Sequence, residues 1–286
     1  MDVRITTLVE NSLSMKDLSN ENLKAEWGLS YHIKTAKKNI LFDTGRSGMV
    51  VENAGHLGID LKDLDLIVLS HGHLDHSGGL RDVLLSIKKD IDVIVHPEVF
   101  SKKFVDIPGM GKRYTNMPFC REELERLGAN FLEELNPYYL TDKILTTGEV
   151  PLTTDFEKIS YGKINRYIDA NPPVEDTLLD DQAVVLITEK GLVIILGCAH
   201  RGIINTIVYA RKITGIDKVY AVIGGAHLHD APSERLQKTI SCLIDMNIAL
   251  IGLNHCTGLS VCSELRSTFG ARFQFNNSGS VLKFDM

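Results

Sequence analysis

No stretch of this 286-residue sequence approaches the eighteen or so consecutive apolar residues of a membrane span. No membrane partner is therefore expected. An excess of basic residues is missing too: 31 Lys and Arg stand against 37 Asp and Glu, a formal charge of −6. That balance disfavours a general affinity for nucleic acid, while leaving room for a local basic pocket that takes a small anion. The five cysteines (Cys120, Cys198, Cys242, Cys256 and Cys262) are odd in number and scattered, which argues against a disulfide framework and for a reducing cytoplasm. The opening residues "MDVRITTLVENS" have neither the basic nor the apolar region of a signal peptide, so the expected location is cytoplasmic. There is no short-period repeat. Length and an ordinary 44% of hydrophobic residues allow one large domain or two small ones.

Regular texture appears at both ends of the chain. Val3–Asn11 alternates as a strand, Leu29–Gly45 reads as a hairpin, and "SGMVVENAGHLGI" as a helix ending near Gly58. "LDLIVLS" is a short buried strand, "SGGLRDVLLSIKK" a helix with Leu80, Val83, Leu84 and Ile87 on one face, and "DVIVHPE" the next strand. From about residue 100 to 180 the chain is rich in Pro, Gly, Tyr and charge, with one helical piece, "REELERLGANFLEEL", broken at Gly128. This stretch reads as a site-covering insertion in a single domain spanning 1–286. Strands and helices then alternate again, ending in a predicted hairpin, "FQFNNSGSVLKF". Two halves of similar texture predict a layered αββα arrangement of α/β class.

Ten histidines are present, and three of them fall within six positions: His71, His73 and His76, with Asp75 among them. They follow a strand. Three later strands also end in histidine, at His200, His227 and His255. Ligands of open α/β sheets bind beyond the carboxyl ends of strands. One such histidine would be unremarkable, but four strand ends carrying ligand-type residues point to a metal site. In extended backbone His71 and His73 can project to one side, with Asp75 and His76 serving a second ion. Imidazole suits zinc, iron, nickel and copper, and the carboxylate widens the choice toward iron and manganese.

The string "HGHLDH", preceded by "FDTG" and followed by "SGGL", resembles the metallo-β-lactamase superfamily. With "EN…WGLSYHI", "DDQAVVL", "LGCAHRGIIN", "GGAHL" and "NHCTG", the chain is similar to one subfamily, the 7,8-dihydropterin-6-yl-methyl-4-(β-D-ribofuranosyl)aminobenzene 5′-phosphate synthase-like metal-dependent hydrolases. The resemblance covers nearly the whole chain. It implies a four-layer αββα metallo-β-lactamase-like sandwich and two divalent ions, zinc first, with iron or manganese as alternatives. It also implies His71 and His73 as ligands of one ion, Asp75 and His76 of the other, and His255 as a further ligand of the second. Asp75 and His76 are accordingly the expected catalytic residues.

Two departures leave the remaining ligands open. Where many members have a histidine in a "PGH" turn, this chain has "LLDDQ", so Asp180, Asp181 or His200 could substitute. Where a bridging aspartate is usual in "GD", it has "GC", and Cys198 is either a zinc thiolate or a small packed residue. His200 ranks above His227, with Cys198 and Asp181 behind. Asp43 in "FDTG" reads as a carboxylate that orients ligating histidines, or a turn cap. His32 and His56 read as structural, His96 as a pocket wall and His229 as a loop residue.

Lys112 and Arg113 in the Gly-flanked loop of the insertion, and Arg201 beside His200, are the expected substrate-binding cations. Tyr114, Tyr138 and Tyr139 could stack on a flat ring. The expected activity is that of a metal-dependent hydrolase-like enzyme on a small anionic, phosphorylated, pterin-related substrate. The metal ions would activate water or stabilise a diphosphate leaving group. Plain phosphodiester, lactone or thioester hydrolysis is the alternative, followed by an iron-based redox enzyme or a non-enzymatic metal-binding module.

Overall fold

Period-two apolar residues build the first sheet. Val3, Ile5, Tyr31, Ile33, Ile40 and Phe42 are buried and come from antiparallel neighbours Asp2–Val9, Ser30–Lys34 and Asn39–Phe42. In the computed structural model, which describes residues 2–14, 22–159 and 165–285, this sheet continues in parallel. Leu66–Val68, Ile91–Val95 and Ala129–Glu133 extend it in that order. The second sheet is ordered Leu250–Asn254, Val219–Gly225, Gly191–Leu196, Ala183–Thr188, Ile144–Thr146 and Tyr138–Thr141.

The two sheets face each other through aliphatic side chains. Ile33, Phe42, Val68 and Ile94 from one pack with Val184, Leu186, Val193, Ile195 and Ile223 from the other. Helices Met49–His56 and Leu80–Ile87 cover the outer face of the first sheet. Helices Ile203–Thr214, Ser233–Asp245 and Leu259–Phe269 cover the second. The order is thus helix, sheet, sheet, helix. This is the four-layer αββα sandwich of the α/β class.

Two sequence expectations are corrected. "REELERLGANFLEEL" is not one interrupted helix: the helix is Arg121–Arg126, and Ala129–Glu133 is a strand parallel to Ile91–Val95. Gly128 at φ +102° turns the chain, and Ala129 and Phe131 alternate inward with exposed Asn130. The last strand, Val281–Asp285, forms no hairpin with the residues before it. It pairs antiparallel with Asp2–Val9 instead and closes the edge of the first sheet.

The stretch 100–180 is divided. Ala129–Glu133, Tyr138–Thr141 and Ile144–Thr146 belong to the main sheets. A third sheet joins Val174–Glu175, Asn165–Ile168, Lys103–Ile107 and Gly111–Tyr114, and contributes to the cover of the site.

Parallel pairing places the chemistry. Asn39–Phe42 runs parallel to Leu66–Val68, so Asp43 and Ser70 emerge at one edge. Gly191–Leu196, Val219–Gly225 and Leu250–Asn254 are mutually parallel, so Cys198, His200, His227 and His255 also emerge together. At these ends Asp43, Ala199, His227 and His255 adopt left-handed backbone, with φ of 59°, 48°, 45° and 52°. Non-glycine residues there carry strain, and such strain gathers at functional sites.

Candidate metal centre

Seven buried or half-buried donors converge where the strand ends meet. His71 Nε2 lies 3.0 Å from His73 Nδ1, which lies 3.1 Å from His200 Nε2. On the other side, His76 Nε2 is 3.1 Å from His255 Nε2, and Asp75 Oδ2 is 3.4 Å from that same His255 atom. Cys198 sits between the groups. Its thiol is 3.1 Å from His76 Nε2, and it completes one compact donor set with His71 and His200 and another with His76 and His255.

The rings are fixed from behind. Asp43 Oδ2 is 2.7 Å from His76 Nδ1 and accepts the Ser70 hydroxyl at 2.7 Å, while that hydroxyl lies 2.9 Å from His71 Nδ1. One buried carboxylate therefore sets the direction of two rings. Gly197 is required here, since a Cβ would lie 2.1 Å from the Ser70 hydroxyl. His255 is held by Asn11 Oδ1, 3.1 Å from its Nδ1, and its backbone N–H donates to Glu10 at 2.9 Å.

Electrostatics divide the cluster. Burial pushes His71, His73 and His200 down, His73 to about 3, leaving neutral rings with free lone pairs. Burial would also depress His76, but the carboxylates of Asp43 and Asp75 overturn this and lift it to about 9. Asp75 would be raised by burial, yet His76 and His255 hold it well below the usual carboxylate range. Burial raises the Cys198 thiol, with Cys256 adding to it. A bound cation reverses that preference, because a coordinating thiol gives up its proton.

Not every expected site residue joins this centre. Asp180 is spent elsewhere: it pairs with buried Lys103 and accepts the Gly72 N–H at 2.8 Å. Asp181 accepts the Arg201 N–H at 2.9 Å, and burial raises it to about 7. His227 stands beside His200, ring centroids 4.3 Å apart, and shares a third donor set with Cys198 and Cys256. His96 does not line the cavity. It caps the turn after its strand, accepting the Glu98 N–H.

Above the cluster lies a cavity of about 300 Å³. Its walls include Trp27, Arg46, Val105, Ile107, Tyr114 and Arg166, and its floor His73, Asp75, Cys198, His200, His227 and Cys256. Lys112, Arg113 and Arg201 are not among the lining residues. Lys112 lies 3.8 Å over the Phe104 ring and 3.9 Å from Asp169, and Arg113 is exposed at the outer edge of the third sheet. Arg201 is an internal strut that donates to the carbonyls of Val150 and Thr177. Tyr114 lines the cavity, whereas Tyr138 and Tyr139 do not.

Sequence reasoning missed Trp27, Arg46, Arg166, Ser70 and Cys256. Only Trp27 carried a signal, as the one tryptophan, next to Gly28, whose own Cβ would crowd the Arg46 N–H at 3.0 Å.

Comparisons agree with this architecture. Residues 28–209 match the metallo-beta-lactamase superfamily. A Methanocaldococcus jannaschii protein, 7,8-dihydropterin-6-methyl-4-(beta-D-ribofuranosyl)-aminobenzene-5'-phosphate synthase, is 35% identical over 99% of this chain and 97% of its own. The solved structure of Tm1679, described as a metal-dependent hydrolase of the beta-lactamase superfamily, superposes with a TM-score of 0.82. It is 25% identical and covers 99% of this chain and 100% of its own. Zinc-bound PqqB from Methylobacterium extorquens shares the fold at a TM-score of 0.57 and 10% identity, with 99% of each chain covered. With the strand-end donors, the αββα layers and these full-length likenesses in agreement, the chain belongs to the metallo-β-lactamase superfamily.

Proposed function

We propose that this chain is a metal-dependent enzyme that holds two divalent ions, zinc foremost, and acts on a small phosphorylated substrate. The observation that carries this reading is the convergence of two histidine-containing donor sets on one shared thiol, Cys198. The donors fit such ions: the neutral imidazoles of His71, His73, His200 and His255, the His76 ring whose proton a bound cation would displace, one ionised carboxylate and one thiol, steadied from behind by Asp43, Ser70 and Asn11. His71, His73 and His200 would hold one ion, and Asp75, His76 and His255 the other, with Cys198 between them. When bound, such a pair supplies Lewis acidity and makes water nucleophilic near neutral pH.

The chain's own residues do the rest. Asp43 keeps His76 Nδ1 engaged, so its Nε2 faces inward. Asp75 lines the cavity and is ionised, so it orients a hydrogen-bond donor brought by the substrate. Burial of the floor keeps bulk water from competing with these contacts. Five free cysteines, three of them buried, support the reducing cytoplasm as the working compartment.

The full-length synthase relative favours a joining reaction that unites a pterin-like and an aminobenzene ribofuranosyl phosphate part, and we propose diphosphate as its leaving group. A second reading, hydrolysis of a phosphodiester, lactone or thioester, is favoured by the likeness to Tm1679. The test is to incubate zinc-loaded protein with both candidate joining partners, and separately with bis-p-nitrophenyl phosphate and a lactone panel. The joined product with release of diphosphate is the expected result. Turnover of the hydrolytic panel alone would establish the second reading, and no turnover of either would refute both.

A further inference from the structure

Two arginines border the cavity with their charge unspent. Arg46 and Arg166 line it, and among the described residues neither side chain has a hydrogen-bond or ion-pair partner. The cations around them are compensated. Lys103 is paired with Asp180 and Asp176, and Lys112 with Asp169 and the rings of Phe104 and Tyr167. Arg166 is half-buried on the strand Asn165–Ile168 of the third sheet, beside Val105, with which it pairs in register.

From there it shares one cavity with His73, His200 and His227 on the floor. A half-buried guanidinium above a floor built to hold cations repels them, unless an anion lies between. The nearby wall is apolar and flat: Trp27 is 50% exposed and Tyr114 43% exposed, with Val105 and Ile107 alongside.

We propose that Arg166, assisted by Arg46, is the residue that recognises the substrate's phosphoryl group, and that Trp27 and Tyr114 receive the flat body carrying that group. This rests on the reading of the floor as a metal centre. The guanidinium fork matches two phosphoryl oxygens at once, and the floor takes the remaining one. A carboxylate offers one oxygen fewer and half the charge, so it is held more weakly. The aromatic wall then selects among phosphorylated molecules by the shape of the attached group.

The test uses zinc-loaded protein and titration calorimetry with phenylphosphonate, methylphosphonate and benzoate, with metal content measured on every sample. Wild type is expected to bind phenylphosphonate most tightly. Arg166→Gln should weaken both phosphonates by roughly tenfold to a hundredfold, at unchanged metal content, and Arg166→Lys should recover part of the loss. Trp27→Ala should weaken phenylphosphonate by about tenfold and leave methylphosphonate unmoved. Lys112→Glu, a charge change away from the cavity wall, should alter neither. Equal phosphonate binding by wild type and Arg166→Gln would overturn the proposal, as would a wild type that prefers benzoate. If the metal reading fails instead, elemental analysis finds no bound zinc, and the Arg166 comparison still gives its own answer.

Discussion

The two halves of the metal centre use the same side chain and are supported from opposite directions. His71, His73 and His200 are neutral because they are buried; Ser70 and Asp43 fix the His71 ring from the core, and further support comes from the covering side. Gly72, between His71 and His73, donates to Asp180, which is anchored by Lys103 of the third sheet. In the other half His76 and Asp75 form a charged pair beside His255, which burial holds low, and the support comes from the core. Asp43 holds one ring and Asn11 the other, whose backbone N–H donates to Glu10. Residue type alone does not decide protonation: histidines in one cavity lie on either side of neutrality according to which carboxylates stand behind them.

Asp43 reaches a ring in each half whereas Lys103 stands behind one, so the halves can be loosened to different degrees. The largest effect is expected at Lys103, whose side chain is fully buried among Asp180, Asp176 and Glu98. Lys103→Met leaves buried carboxylates without their cation and should cost about 3–5 kcal/mol in denaturant unfolding. Zinc should then be lost first from the His71, His73 and His200 half, and adding Asp180→Asn should restore part of the stability. A variant as stable as wild type would mean the covering side supports nothing.

Asp43→Asn comes next. It keeps the shape but removes the charge behind His76, so metal affinity of the second half should fall by roughly tenfold to a hundredfold. Competition with a chromophoric chelator reads this directly, and equal weakening of both ions would show that the Ser70 relay to His71 matters as much. Asn11→Ala removes the acceptor behind His255 and should cost about 1 kcal/mol, several-fold in the affinity of the second half alone.

The last effect lies outside both halves and is confined to acid pH. Burial, with Lys34 and Arg4 adding to it, holds His32 down to about 4, against 6.5 for an unperturbed ring. The unfolded chain therefore binds that proton first as pH falls. Stability attributable to His32 should decline from about pH 6.5 to about pH 4 and then level off. His32→Gln should flatten this part of the stability profile and leave metal content unchanged.

Much of the centre was legible because its donors are dense or end regular strands. "HGHLDH" and the histidines at 200, 227 and 255 all carry that mark, and parallel pairing brings them to one edge. The covering residues carried no such mark. Arg166 reaches the cavity only because its strand pairs with Lys103–Ile107, some sixty positions earlier in the chain. Lys112 and Arg113 looked more promising because they are adjacent in a glycine-flanked loop, yet that strand is the exposed edge of its sheet. The strand Ala129–Glu133 was hidden by good helix formers on both sides. A parallel partner at the sheet edge outweighed their propensity.

The left-handed turns that aim the donors also have an evolutionary and engineering consequence. Ala199 adopts φ of 48° between Cys198 and His200 and supplies no donor of its own. A residue in that conformation carries roughly 1 kcal/mol of strain that glycine would not. Ala199→Gly would release that strain with the chemistry intact, in exchange for one buried methyl of the second core. At Asp43, His227 and His255 the same relief would erase a functional side chain, so drift toward stability there is drift toward silence.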